Sequence, residues 1–132
     1  MSKLHNLTKD LTSANKRLKE ASALKQTRIH KDATIQRFEF CFELSWKVIQ
    51  EYIRDQGLDC RSPKNCFRIG AELGLIQDPM IWFELLEARN LVAHTYNEKM
   101  ANKVYKQAIK FPDEIDSLLE AIPEKEDEKQ TK

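Results

Sequence analysis

An all-α fold is what this sequence predicts, an antiparallel up-and-down helical bundle of four major helices and one short helix. Three observations carry that reading. Only 3 Gly and 4 Pro punctuate the 132 residues, so long uninterrupted elements are available. Charged residues make up 33% of the chain and β-branched runs are few, a composition that favours helices. Apolar residues recur at alternating steps of three and four, the period of a helix face and not of a strand.

Leu4, Leu7, Leu11, Ala14, Leu18 and Ala21 lie on one such stripe, which predicts a first helix over about residues 2 to 26. Asp32 is the expected cap of a second helix carrying Ile35, Phe38, Phe42, Trp46, Ile49 and Ile53 and ending at Gly57. That helix is also apolar at Phe40, Cys41, Leu44 and Val48, so it is expected to be central, touched by several neighbours or facing another subunit. Ser62-Pro63 opens a short helix that stops at Gly74, and Asp78-Pro79 opens a fourth, each an N-cap followed by proline at the first helical position. The fourth carries Ile81, Trp82, Leu85, Leu86 and Ala88 and runs into Arg89-Asn90-Leu91-Val92-Ala93-His94. Thr95 and Glu98 then fit a capping box for a fifth helix with Met100, Val104, Ala108, Phe111, Ile115 and Leu118, bent at Pro112. Residues 1 to 122 are expected to form a single domain, and the charged stretch 123 to 132, with nothing to bury, a disordered tail.

The chain begins basic and ends acidic. Residues 1 to 37 hold nine Lys/Arg against three Asp/Glu, and residues 111 to 132 hold three against eight, inside a formal net charge of +1. The basic start suits a solvated helix face, or contact with nucleic acid or an acidic partner. No apolar run of signal or membrane-spanning length occurs, so a cytoplasmic protein without membrane contact is expected. Cys41, Cys60 and Cys66, odd in number and without Cys-x-x-Cys spacing, are expected as free thiols in a reducing compartment. His5 and His30 lack neighbours at metal-ligand spacing, and neither a metal nor a cofactor is expected.

The chemistry-bearing segment is Arg89 to Tyr96. On a straight helix Arg89 and His94 would point about 140° apart, so they can share a pocket only if the helix has ended between them. A start of the fifth helix at the Thr95 box would place free N–H groups and a positive dipole end beside both, a ready site for phosphate. The plainer reading is a helix-end histidine and a structural arginine paired with Glu87 or Glu43. Glu39, Glu43 and Lys47 form a polar line on the second helix, expected as a solvated face.

The run RNLVAHTY resembles the Arg-x4-His-x-Tyr signature of the HEPN superfamily of helical bundles. IQRFEFCFELSWK, SPKNCFRIGAELGLI and MIWFELLEARN extend the likeness to the branch of nucleotidyltransferase substrate-binding proteins, over about residues 5 to 120. The resemblance implies a minimal nucleotidyltransferase as partner, in a toxin and antitoxin relation, since members of the branch are typically encoded beside one. This chain lacks the Gly-Ser and Asp-x-Asp motifs of the transferase itself. The resemblance further implies a homodimer with two motifs facing one cleft, and metal-independent cleavage of RNA. By carry-over, Arg89 and His94 would be catalytic, Asn90 would orient the motif or substrate, and Tyr96 would be the hydroxyl that the partner nucleotidylates. A non-catalytic subunit that binds a nucleotide or substrate for the transferase is the alternative, and a purely structural dimerisation partner the third reading.

Overall fold

The computed structural model describes residues 2–123, and among them every regular element is helical. In chain order these are α1 (Lys3–Ser22), α2 (Arg28–Asp55), α3 (Pro63–Glu72), α4 (Pro79–Leu91), a 3-10 turn (Val92–His94), α5 (Glu98–Ala108) and α6 (Phe111–Ala121). The expected all-α bundle is present. The tail from residue 124 onward lies outside the described residues.

Local chemistry sets the element ends. The Ser2 hydroxyl accepts from His5 N–H, Ser62 from Asn65 N–H, and the Asp78 carboxylate from Met80 N–H. The cap of α2 is Thr27 rather than Asp32: its hydroxyl accepts from His30 N–H, so α2 starts one turn earlier and α1 stops correspondingly before residue 26. Gly57 and Gly74 have φ of 81° and 77°. At each, the N–H of the following leucine reaches back to the carbonyl at the start of the last turn, Leu58 to Ile53 and Leu75 to Gly70, the bonding of a Schellman stop. The bend expected at Pro112 is a full break. α5 ends at Ala108, a turn at Ile109 and Lys110 follows, and α6 restarts with proline in its first turn, so the expected fifth helix is two helices.

α2 is the axis of the bundle, packed against α1, α3, α4 and α5, while α6 closes against α1. The closure is polar as well as apolar: Asp116 accepts from the Asn15 amide at 3.0 Å and from Lys19 at 3.1 Å. Phe111 is the hub of the core, with ring centroids 5.4 Å from Phe38, 5.5 Å from Trp82 and 6.3 Å from Phe42. Phe38, Phe42, Ile49, Leu85 and Val104 are buried as their spacing predicts, while Trp46 is only partly so. No helix among the described residues is long and apolar enough to cross a membrane.

The expectation of three free thiols is corrected. Cys60 and Cys66 form a disulfide, because the extended Ser62 cap folds the approach to α3 back over its first turn and brings their Cα atoms to 5.1 Å. Cys41 alone is free, and burial pushes its thiol up to about 12, against a smaller opposing effect of Arg37. We expect Cys41 to be silent to thiol reagents at neutral pH in the folded protein and to react on denaturation, with two more thiols appearing after reduction. Closing so short a loop is worth about 2 kcal/mol, and a melt with and without reductant measures it. Equal melting temperatures would show that the bridge leaves the unfolded chain unconstrained.

Candidate functional site

The expected site residues gather where α4 ends. Arg89 and Asn90 occupy its last turn, His94 closes the 3-10 turn, and Tyr96 stands in the turn before α5. Tight i to i+3 bonding winds the chain here. Val92 N–H donates to Arg89 O, Thr95 N–H and the Thr95 hydroxyl both donate to Val92 O, and Asn97 N–H donates to His94 O. The expected end of the straight helix between Arg89 and His94 is therefore real, although its cause differs from the capping box.

That box does not form. Asn97 is the cap of α5, extended at φ −86° and ψ 123°, and its side-chain oxygen accepts from Met100 N–H at 3.2 Å. Asparagine caps better than threonine, and the Thr95 hydroxyl is already engaged with the 3-10 turn at 2.8 Å. Glu98 is thus the first residue of α5 and not a reciprocal capping partner. Tyr96 lies just outside the helix, 88% exposed, with its ring edge-on to His94 at 6.3 Å between centroids. His94 and Asn90 are exposed as well.

Arg89 is the ordered member of the group. Its Nη1 donates to both oxygens of Glu43 on α2, at 2.8 and 3.0 Å, and its Nε donates to the Asn90 side-chain oxygen at 3.2 Å. The guanidinium lies 5.2 Å from the centroid of the buried Phe42 ring, a cation–π platform. Trp46 Nε1 donates to Glu43 at 3.2 Å, fixing the carboxylate from the other side. Of the five N–H groups of an arginine, those on Nη2 take no hydrogen bond among the described residues. The Arg89 and Glu43 side chains are 25% and 40% exposed, so the pair stabilises the fold by less than about 1 kcal/mol after solvent screening. Its effect is orientation: a flexible side chain is held in one pose with one edge available to an anion.

Two groups result, Arg89 with Asn90 and Glu43, and His94 with Tyr96, joined through the backbone of the 3-10 turn and by no side-chain hydrogen bond among the described residues. Glu43 departs from the solvated line expected with Glu39 and Lys47. It crosses from α2 to α4 and takes the arginine, and so proves to be the partner among the two acids, Glu87 and Glu43, that sequence offered for Arg89. Trp46 and Phe42 read in sequence as core, and both also brace the site. Glu43 and Trp46 lie one helical turn apart, a spacing that already places them together.

Comparison with known proteins agrees with this architecture. The chain is 34% identical over 93 residues to a protein of Haemophilus influenzae named probable ribonuclease HepT, a match covering 67% of this chain and 64% of that protein. The chain thus matches a little under two thirds of that relative's length. A crystal structure from Thermus thermophilus superposes with a TM-score of 0.79 at 33% identity, covering 83% of this chain and 96% of that one. A second solved structure, from Haemophilus influenzae, is described as the fold of a substrate binding domain of a nucleotidyltransferase; it superposes with a TM-score of 0.74 at 27% identity, covering 86% and 96%. The family model described as nucleotidyltransferase substrate binding protein like matches residues 2–124. With a helical bundle of that fold and a family match running nearly from end to end, this chain belongs to the HEPN-like family of nucleotidyltransferase substrate-binding proteins.

Proposed function

We propose that the chain is the HEPN-type partner of a minimal nucleotidyltransferase and a metal-independent endoribonuclease, silenced when the partner nucleotidylates Tyr96. The observation that carries the reading is the fixed Arg89 guanidinium, held by Glu43, Asn90 and Phe42 one short turn from an exposed His94. A held cation with free N–H groups suits the non-bridging oxygens of a phosphodiester, and an exposed imidazole suits proton transfer. In the reaction a ribose 2′-oxygen attacks the adjacent phosphorus and gives up its proton to a base. The bond to the 5′-oxygen breaks, and that oxygen takes a proton from an acid, leaving a 2′,3′-cyclic phosphate and a 5′-hydroxyl.

One imidazole cannot serve both ends of that displacement at once, so the active species is a homodimer with two His94 residues at one groove. Exposed Ile29 and Phe40 on α2, at 77% and 47%, are apolar side chains available to such pairing.

A non-catalytic substrate-binding subunit is the second reading. It is favoured by the Glu43 carboxylate, which offsets the charge that Arg89 would offer to RNA. One experiment separates the two: the purified chain is incubated with total RNA in the presence of a chelator, alone and after treatment with partner, magnesium and ATP. We expect fragments with cyclic phosphate ends from the untreated protein and intact RNA after treatment. Intact RNA in both would leave the binding-subunit reading.

A further inference from the structure

Tyr96 stands on the wall shared by two clefts. One, of about 480 Å³, carries Asp32, Glu39 and Gln36 and no cation. The other, of about 540 Å³, lies between the start of α2 and the start of α5 and carries Arg28 and Lys31, which balance the carboxylates of Asp32 and Glu98. Both volumes are in the range of ligand pockets, so charge decides between them for a phosphate-bearing ligand. The first repels it.

The second cleft has a different part for each part of a nucleotide. Lys31 is already placed: its Nζ donates to the Asn102 side-chain oxygen at 3.0 Å and stands 5.5 Å from the Tyr105 ring centroid. That bond orients the Asn102 amide, leaving its NH2 to donate to a base or sugar acceptor. Gln26 adds a second amide on the lining, Arg28 a second cation for phosphate, and the carboxylates of Asp32 and Glu98 are acceptors for sugar hydroxyls. We propose that this cleft is a mononucleotide site, taking a nucleoside 5′-monophosphate with its phosphate toward Lys31 and Arg28, and that it houses the nucleotide once it is attached to Tyr96. The second half rests on the reading of Tyr96 as the acceptor. The first half does not, because a free monophosphate meets the same groups.

The test titrates AMP, GMP, CMP and UMP, with inorganic phosphate and adenosine as controls, into the full chain while backbone amide resonances are followed. We expect shifts at Lys31, Ala101 and Asn102 with a monophosphate and smaller ones with either control. Lys31→Met should weaken binding about tenfold or more, the loss of one charge-assisted bond. Arg28→Ala, at an exposed position that cannot disturb the core, should weaken it in the same direction. In the modified protein, the tethered nucleotide should resist phosphodiesterase in the wild type and be released faster in Lys31→Met. Absence of monophosphate binding in the cleft, or binding indifferent to both basic residues, overturns the site. Binding in the cleft without any modification of Tyr96 supports the site and removes the proposed silencing reaction instead.

Discussion

Replacing His94 with alanine is expected to lower RNA cleavage by about 10²- to 10⁴-fold, the range that positioned proton transfer contributes. The fold should not notice. The imidazole is exposed, contacts the Tyr96 ring edge-on and lies outside the core, so the change in stability should stay within about 0.5 kcal/mol. A growth assay with the chain expressed alone, read beside the integrity of cellular RNA and a thermal melt of the purified variant, separates lost chemistry from lost structure. Arg89→Lys is the instructive companion. Lysine keeps the charge but cannot bond Glu43 and Asn90 together while presenting a free edge, so it should fall with alanine and not with the wild type. If His94→Ala cleaves and arrests growth as the wild type does, the ribonuclease reading is lost, however well Arg89 is placed.

The bundle was legible in the sequence because its evidence is local and repeated. Leu4, Leu11 and Leu18 are buried together on α1 as their spacing requires, and the Ser62-Pro63 and Asp78-Pro79 starts are where their chemistry puts them. The errors fall where two local devices compete. Thr27 and Asp32 can both cap α2, as Thr95 and Asn97 can both cap α5, and only the neighbouring backbone bonds decide. The choice of Glu43 over Glu87 as the partner of Arg89 was beyond local reading for another reason. Arg89 and Glu43 are 46 residues apart in the chain, and their meeting depends on the packing of α4 across α2. The Cys60 and Cys66 bridge is a similar case, because a spacing of six residues fits a free pair or a bonded one until the direction of the cap is known.

Tyr96→Phe should abolish incorporation of nucleotide by the partner transferase and, with it, the silencing of cleavage, while leaving stability and uninhibited activity intact. Exposure sets this motif residue apart among the 3 tyrosines of the chain. Tyr105 is buried at 6% exposure and lies beneath Lys31, and Tyr52 is partly buried against the core, so both are less accessible to a second protein's active site than Tyr96. Tyr96 is 88% exposed, in a turn before α5, beside His94. Its phenolic oxygen can attack the α-phosphorus of a nucleoside triphosphate held by the partner; a new oxygen–phosphorus bond forms, pyrophosphate leaves, and the phenolic proton passes to a base or to solvent. The product carries a negative phosphodiester and the bulk of a nucleotide beside the imidazole, so charge and volume both oppose an incoming RNA phosphate. Phenylalanine removes the attacking oxygen and keeps the ring against His94. Peptide mass spectrometry after incubation with partner, magnesium and ATP should show added mass on the peptide containing Tyr96 in the wild type and none in the variant. Cotransformation with the partner should then fail to rescue growth for Tyr96→Phe alone. Added mass persisting in the variant, or mapped to Tyr52 or Tyr105, would place the switch elsewhere and leave the exposed Tyr96 as part of the RNA-contacting surface.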